Sequence, residues 1–156
     1  CNTLTLHLYE DVVPIIQGLR ELGYYLGIIT DGMASVQRRK VGALRLDQLV
    51  DLVICTEELG KGYQKPSAVP YRVALDILGV EPFNAAYVGN DISKDFAGAN
   101  ELGILTIQIE RFAASLSEPV QVPATFKANY TVSNLKDIIP IIEGGLIAQN
   151  DDDKNR

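Results

Sequence analysis

The run Tyr24–Thr30 (YYLGIIT) is almost continuously apolar, has the length of a strand, and stops at Asp31-Gly32, a turn signal. A strand with apolar side chains on both faces must be covered on both, as in a parallel strand held between helices, not a half-solvated antiparallel one. The surrounding pattern agrees. Val12, Val13, Ile15, Ile16, Leu19 and Leu22 recur at helical spacing up to Gly23, after an extended lead-in over Thr3–Tyr9. Met33–Leu46 reads as a helix and Leu52–Cys55 as a short buried strand. Ser67–Leu78 reads as a helix with Pro66 at its first position and Gly79 at its end. The cycle continues with a strand at Ala85–Val88, a helix over Ile92–Leu102, a strand at Ile104–Ile109, a strand at Ala128–Val132 and a helix from Leu135 to Ile142. Strand and helix alternating at this spacing predict an α/β fold: a three-layer, doubly wound, Rossmann-like parallel sheet. Residues 1–150 read as one domain, Arg111–Pro123 as a surface connection and Asp151–Arg156 as a charged, solvated tail.

Composition narrows the function. With 156 residues and 47% apolar content the chain can bury a core. A formal charge of −6, and no cluster of Lys and Arg interleaved with aromatics, argue against a nucleic-acid partner. No apolar run approaches the roughly 20 residues that span a bilayer, so no membrane partner is expected. Cys1 and Cys55 form neither a disulfide framework nor a metal-ligand spacing, which points to a reducing cytoplasm. Cys55, inside an apolar run, reads as a small buried residue and not a nucleophile. The single histidine, His7, lies in the lead-in and is a weak catalytic candidate. The chain starts at Cys1 with no initiator Met, as expected of a processed, trimmed or partial polypeptide.

In open parallel sheets ligands gather beyond the carboxyl ends of the strands. The residues there are Thr30-Asp31-Gly32 after one strand, Lys65-Pro66 before a helix, and Gly89-Asn90-Asp91 after another strand, with Asp95 four residues on. A hydroxyl beside free backbone N–H groups can hold phosphoryl oxygens, a lysine can neutralise developing negative charge, and clustered carboxylates can hold Mg2+ with waters. Each motif alone has a plainer reading. Thr-Asp-Gly can be a turn or a helix cap, Lys-Pro a surface lysine before a helix, and Asp91 with Asp95 a pair complementing a helix dipole. Their joint placement at successive strand ends describes a phosphoryl-transfer site.

These three motifs, with VGNDISKDFAGANELGI (Val88–Ile104), resemble the later motifs of the haloacid dehalogenase superfamily of hydrolases. LYEDVVPIIQGLRELGYYLGIITDG (Leu8–Gly32) resembles the stretch by which members with an inserted helical cap return to the core. The resemblance covers roughly Leu8–Ile109. It implies that Thr30, with the backbone around Asp31 and Gly32, binds the transferring phosphoryl group. Lys65 would pair with the nucleophilic carboxylate, and Asp91 and Asp95 would hold or orient Mg2+. Asn90 stands where relatives often carry Asp, so which of Asn90, Asp91 and Asp95 meets the metal stays open. The family's nucleophile is the first Asp of a D-x-D motif closing a central first strand, ahead of everything matched here, and no such motif stands at that place. Glu10-Asp11 has the wrong spacing. The expected core therefore lacks its first strand between the strands ending at Thr30 and Val88. That lane would be filled by an upstream segment, by another chain, or by Thr3–Leu8 drafted into it.

The resemblance implies a Mg2+-dependent phosphatase-like hydrolase acting through an aspartyl-phosphate on a small phosphorylated metabolite, with this chain alone inactive. The alternative from another class is a non-catalytic binding or assembly module of a larger protein, favoured by the missing nucleophile. A phosphate-receiving signalling domain has its acidic pair first and its Lys-Pro last, the reverse of the order here. A nucleotide-binding dehydrogenase would need G-x-G-x-x-G, which is absent.

Overall fold

The computed structural model describes residues 9–111 and 120–154. The chain divides into two compact units, Cys1–Gln64 and Lys65–Arg156. His7 and the Thr3–Leu8 segment lie outside the described residues, as does most of the connection expected over Arg111–Pro123.

The first unit runs α1 (Val12–Glu21), β1 (Gly27–Thr30), α2 (Ala34–Ala43) and β2 (Leu52–Cys55), and then a 3-10 turn, Thr56–Leu59. The strands are parallel, with Gly27 opposite Leu52 and Thr30 opposite Cys55, so their carboxyl ends finish level. Strand β1 is shorter than the apolar run that announced it. The ladder with β2 starts only at Leu52, and ahead of it the Leu26 carbonyl accepts from the Asp51 and Leu52 amides at 2.7 and 3.2 Å. Asp51 fixes this start: its Oδ2 accepts from the Leu26 amide at 2.8 Å and from Arg20, in the last turn of α1, at 3.2 Å. Upstream of the ladder Tyr25 is exposed. Among the described residues β1 pairs on one edge only, and its side chains stay half-buried where the sequence pattern predicts full cover.

The second unit runs α3 (Val69–Leu78), β3 (Ala86–Gly89), α4 (Ala97–Leu102), β4 (Leu105–Ile109), β5 (Tyr130–Val132) and α5 (Ile138–Lys154). Its three strands are parallel in the order β3-β4-β5. Ile107, in the middle strand, is fully buried, as are Tyr71 and Phe96; complete burial of such a side chain contributes about 1.5–3 kcal/mol. Helix α5 crosses close over the sheet because Gly145 has no Cβ, which would meet Leu105 Cδ2 at 2.9 Å. The crossover from β4 to β5 is fastened by Asn100, whose Nδ2 donates to the carbonyls of Thr125 and Lys127 at 2.9 and 2.8 Å. Buried Thr106 donates its hydroxyl to Asn100 Oδ1 at 2.7 Å and accepts the Asn129 amide at 3.0 Å, so its polar group is satisfied.

The parallel α/β character is as predicted, while several helix boundaries differ, among them the end of α2 at Ala43 and not Leu46. Helix α3 begins at Val69, three residues beyond Pro66, because Ser67 Oγ accepts the Val69 amide at 3.2 Å in a local turn. Helix α4 begins at Ala97 and not Ile92, since Asp91 draws Ser93 into a side-chain turn: its Oδ1 accepts the Ser93 amide at 3.0 Å. Helix α5 continues past Ile142 through Lys154, with Leu146 buried one turn beyond Ile142 on the same face. Among the described residues no helix is long and apolar enough to cross a membrane.

Candidate active site

At the end of β1 the chain turns sharply through Asp31-Gly32. Gly32 has φ +102, where side chains are strained, and a Cβ there would lie 3.1 Å from Gln37 Nε2. The Thr30 hydroxyl donates to Gln37 Oε1 at 3.0 Å. One carboxylate oxygen of Asp31 accepts from the Thr56 hydroxyl at 2.8 Å, and Thr56 is only 1% exposed. The 3-10 turn after β2 thus braces the turn after β1. It also holds α2. Glu57 Oε2 accepts the Ala34 amide at 2.5 Å, placing a carboxylate at the positive end of the helix. Arg38 forks onto Glu58 with contacts of 3.0 and 2.6 Å, and this hydrogen bond lowers the Glu58 carboxyl below its ordinary range. Met33, the residue before α2, makes no side-chain cap, so the cap comes from Glu57, 23 positions beyond the Ala34 amide it accepts.

In the second unit the buried carboxylate of Asp95 is the organising group. Its Oδ1 meets Lys65 Nζ at 2.6 Å, and its Oδ2 accepts the amides of Asn90 and Asp91 at 3.0 and 2.9 Å. The lysine and aspartate side chains are 8% and 4% exposed. Tyr87 lends its hydroxyl oxygen to Lys65 Nζ at 3.2 Å. Its ring stands edge-on to Tyr71 with centroids 4.9 Å apart, and Tyr71 in turn donates to the Asp95 carbonyl at 2.5 Å. Burial alone would pull the Lys65 pKa down, but the Tyr87 oxygen and the Asp95 carboxylate outweigh it, and the ammonium lies above the ordinary lysine range. Burial pushes the Tyr87 phenol up, against the opposing pull of Lys65.

Two glycines make this packing possible. A Cβ on Gly89 would lie 2.7 Å from Asp95 Oδ2, and one on Gly98 would lie 2.6 Å from the Ser67 carbonyl and 2.7 Å from that of Pro66. Helix α4 therefore presses directly on the loop that carries Lys65.

Asp91 differs from Asp95. Its side chain is 42% exposed, its Oδ1 accepts the Ser93 hydroxyl at 2.5 Å and its Oδ2 lies 3.9 Å from Lys94 Nζ. The Ser93 hydroxyl bond, helped by the Ser93 amide and by Lys94 and Lys65, lowers the Asp91 carboxyl below its ordinary range against a smaller opposing effect of burial. The donors around it are hard oxygens, the chemistry Mg2+ takes. Among the described residues no group of three or more His, Cys, Asp or Glu side chains comes together as a metal cage. A Mg2+ held here would keep several waters and lean on Asp91, the accessible carboxylate.

Of the residues singled out in the sequence, Thr30, Asp31 and Gly32 form one turn in the first unit. Lys65, Asn90, Asp91 and Asp95 meet around one carboxylate in the second. Asp95 does not serve a helix dipole: its carboxylate turns back onto the loop after β3. Cys55 is buried and free, as its apolar surroundings predict, and burial raises its thiol pKa.

Three polar residues that contact these groups were not legible as such. Gln37 shares the face of α2 that carries buried Val41, and a polar residue on that stripe is the available signal. Thr56 directly follows a buried strand and Tyr87 sits inside one, positions that read equally well as plain core.

A sequence model of the haloacid dehalogenase-like hydrolases matches residues 2–109. The chain belongs to that family. As a haloacid dehalogenase-like protein it is 38% identical over 111 residues to a glyceraldehyde 3-phosphate phosphatase of Methanopyrus kandleri, covering 71% of this chain and 47% of that protein. It is 33% identical over 104 residues to a phosphoserine phosphatase of Thermus thermophilus, covering 67% and 41%. Among solved structures it is similar to a HAD phosphatase from Thermococcus onnurineus, with a TM-score of 0.73, 30% identity, and 88% of this chain and 59% of that one covered. The chain spans about half the length of the curated relatives it matches.

Proposed function

We propose that this chain supplies most of the core of a Mg2+-dependent phosphatase that acts on a small phosphorylated metabolite through an aspartyl-phosphate. The observation that carries the reading is the buried Lys65–Asp95 pair, with the backbone amides of Asn90 and Asp91 folded around the same carboxylate, in a chain whose relatives carry phosphatase names. A lysine kept protonated at a strand end is suited to stabilise charge that builds on a transferring phosphoryl group. The Thr30 hydroxyl, at the end of β1 and beside the turn at Gly32, is suited to hold a phosphoryl oxygen. Asp91 would hold Mg2+, which would supply neutralisation of phosphoryl charge; Asp95, with both oxygens engaged, positions Lys65 and the 90–91 backbone. The nucleophilic Asp would come on a strand from an upstream segment or another chain, since no D-x-D motif closes a described strand. A strand added beside β1 or β3, each of which pairs on one edge among the described residues, would satisfy backbone groups that otherwise cost about 1–3 kcal/mol each when left dry. We place the protein in the cytoplasm, in keeping with a cysteine that is buried and unpaired.

The test uses full-length protein with Mg2+, a generic aryl phosphate and a panel of phosphorylated metabolites. We expect Mg2+-dependent release of phosphate that Lys65→Met reduces by about a hundredfold or more, in the range for one preorganised group at a charged transition state. The isolated 156-residue chain is expected to be inactive. No turnover by the full-length protein with any of the substrates favours the second reading, a non-catalytic module, for which the missing D-x-D motif is the supporting observation.

A further inference from the structure

Gln37 lies against both the hydroxyl and the glycine of the turn after β1. Its Oε1 receives the Thr30 proton at 3.0 Å, and its Nε2 lies where a Cβ on residue 32 would approach to 3.1 Å. The next acceptor near the Thr30 hydroxyl, the Asp31 carbonyl, is 3.5 Å away, at the limit of a useful bond. Gln37 itself is half-buried between exposed Val36 and Arg38, so its amide is turned inward from α2, and the glycine leaves room for it.

A hydroxyl has one proton and two acceptor sites, whereas a carboxamide carries an acceptor on one side and two donors on the other. While the Thr30 hydroxyl donates to Gln37 Oε1, its proton is unavailable to an anion. Rotation of the amide by half a turn would place Nε2 where Oε1 now lies. The amide would then donate to Thr30 Oγ1, and the hydroxyl proton would be free to point at a phosphoryl oxygen. The geometry assigns Gln37 as a positioning residue that sets the direction of the Thr30 hydroxyl: acceptor in the free protein, donor once phosphate is bound. This inference rests on the reading of Thr30 as a phosphoryl ligand.

The experiment is a double-mutant cycle on the binding of inorganic phosphate to the full-length protein in Mg2+, read by calorimetry. The variants are Thr30→Val, Gln37→Met and the pair, each with its urea midpoint measured alongside. Gln37→Met keeps the side-chain length and removes both polar ends. We expect Thr30→Val and Gln37→Met each to weaken phosphate by about tenfold, the loss for one hydrogen bond to a charged group, and the double variant to bind no more weakly than Thr30→Val. Gln37→Glu, able only to accept, should bind phosphate more weakly than Gln37→Met. A residue with a merely structural role would shift the urea midpoint and add its effect to that of Thr30→Val. If Gln37→Met binds phosphate within twofold of wild type, or its effect adds in full to that of Thr30→Val, the assignment of Gln37 is overturned while Thr30 keeps its role. If Thr30→Val leaves phosphate affinity unchanged, Thr30 is not a phosphoryl ligand and this inference fails while the Lys65-based reading stands on its turnover test; if the wild type neither binds phosphate nor turns over any substrate, both fail.

Discussion

Replacing Asp95 by Asn tests the organising role given to that carboxylate. Both of its oxygens are engaged, one by the Lys65 ammonium at 2.6 Å and the other by two backbone amides at 2.9 and 3.0 Å. An asparagine is nearly isosteric but has a single acceptor oxygen. Whichever way its amide is turned, an NH2 group faces donors, either the lysine or the two backbone amides. Either the lysine loses its anionic partner while keeping the Tyr87 hydroxyl at 3.2 Å, or the two amides lose their acceptor, and the lysine and residue 95 side chains are only 8% and 4% exposed. Breaking a buried ion pair by removing one charge costs about 3–5 kcal/mol, much of it from the stranded partner. Against a domain stability of about 5–15 kcal/mol this is a large share. The chain has no Trp, so unfolding in urea is best followed by far-UV circular dichroism. Lys65→Met and the double variant complete a cycle. Because removing the lysine also removes the stranded cation, the double variant should be less destabilised than the sum of the singles by more than about 1 kcal/mol. A loss under about 1 kcal/mol for Asp95→Asn, or singles that add to within about 0.5 kcal/mol, would refute the argument that this carboxylate holds a charge and a loop together.

Two further outcomes follow from the same contacts. Gly89→Ala should destabilise by about 1–3 kcal/mol, because its Cβ would lie 2.7 Å from Asp95 Oδ2 and the carboxylate cannot retreat without releasing Lys65; equal urea midpoints for variant and wild type would contradict this. Alkaline pH should weaken the fold. The folded-state pKa values of Lys65 and Tyr87 are both raised above the ordinary 10.5 and 10.0, so the stability they contribute is complete below those values and is lost as pH rises through the folded ones. Urea midpoints at pH 9 and 11 should therefore differ more for wild type than for the Lys65→Met/Tyr87→Phe double variant, and equal differences would refute it.

The alternation of short apolar strands and periodic helices was legible because burial imposes a period on each element, and Leu52–Cys55 lies where the apolar run placed it. The rim residues were legible for a related reason: in a parallel sheet the position after a strand fixes which end a residue occupies, and Lys65, Asn90, Asp91 and Asp95 do meet there. The helix starts were not. At Asp91 and Ser67 a side chain offers the backbone a local hydrogen bond in competition with the helix, and only the folded surroundings choose between them. Nor could residue order alone reveal that Thr56 holds Asp31, that Gln37 takes the Thr30 proton or that Tyr87 reaches Lys65, since each contact joins positions 7 to 25 apart through the packing of a helix or a neighbouring strand. The sequence by itself determined the layered parallel architecture and the chemistry available at the strand ends. Only the tertiary structure decided which of those groups hold one another, because hydrogen bonds depend on ångström-scale approach that periodicity does not encode.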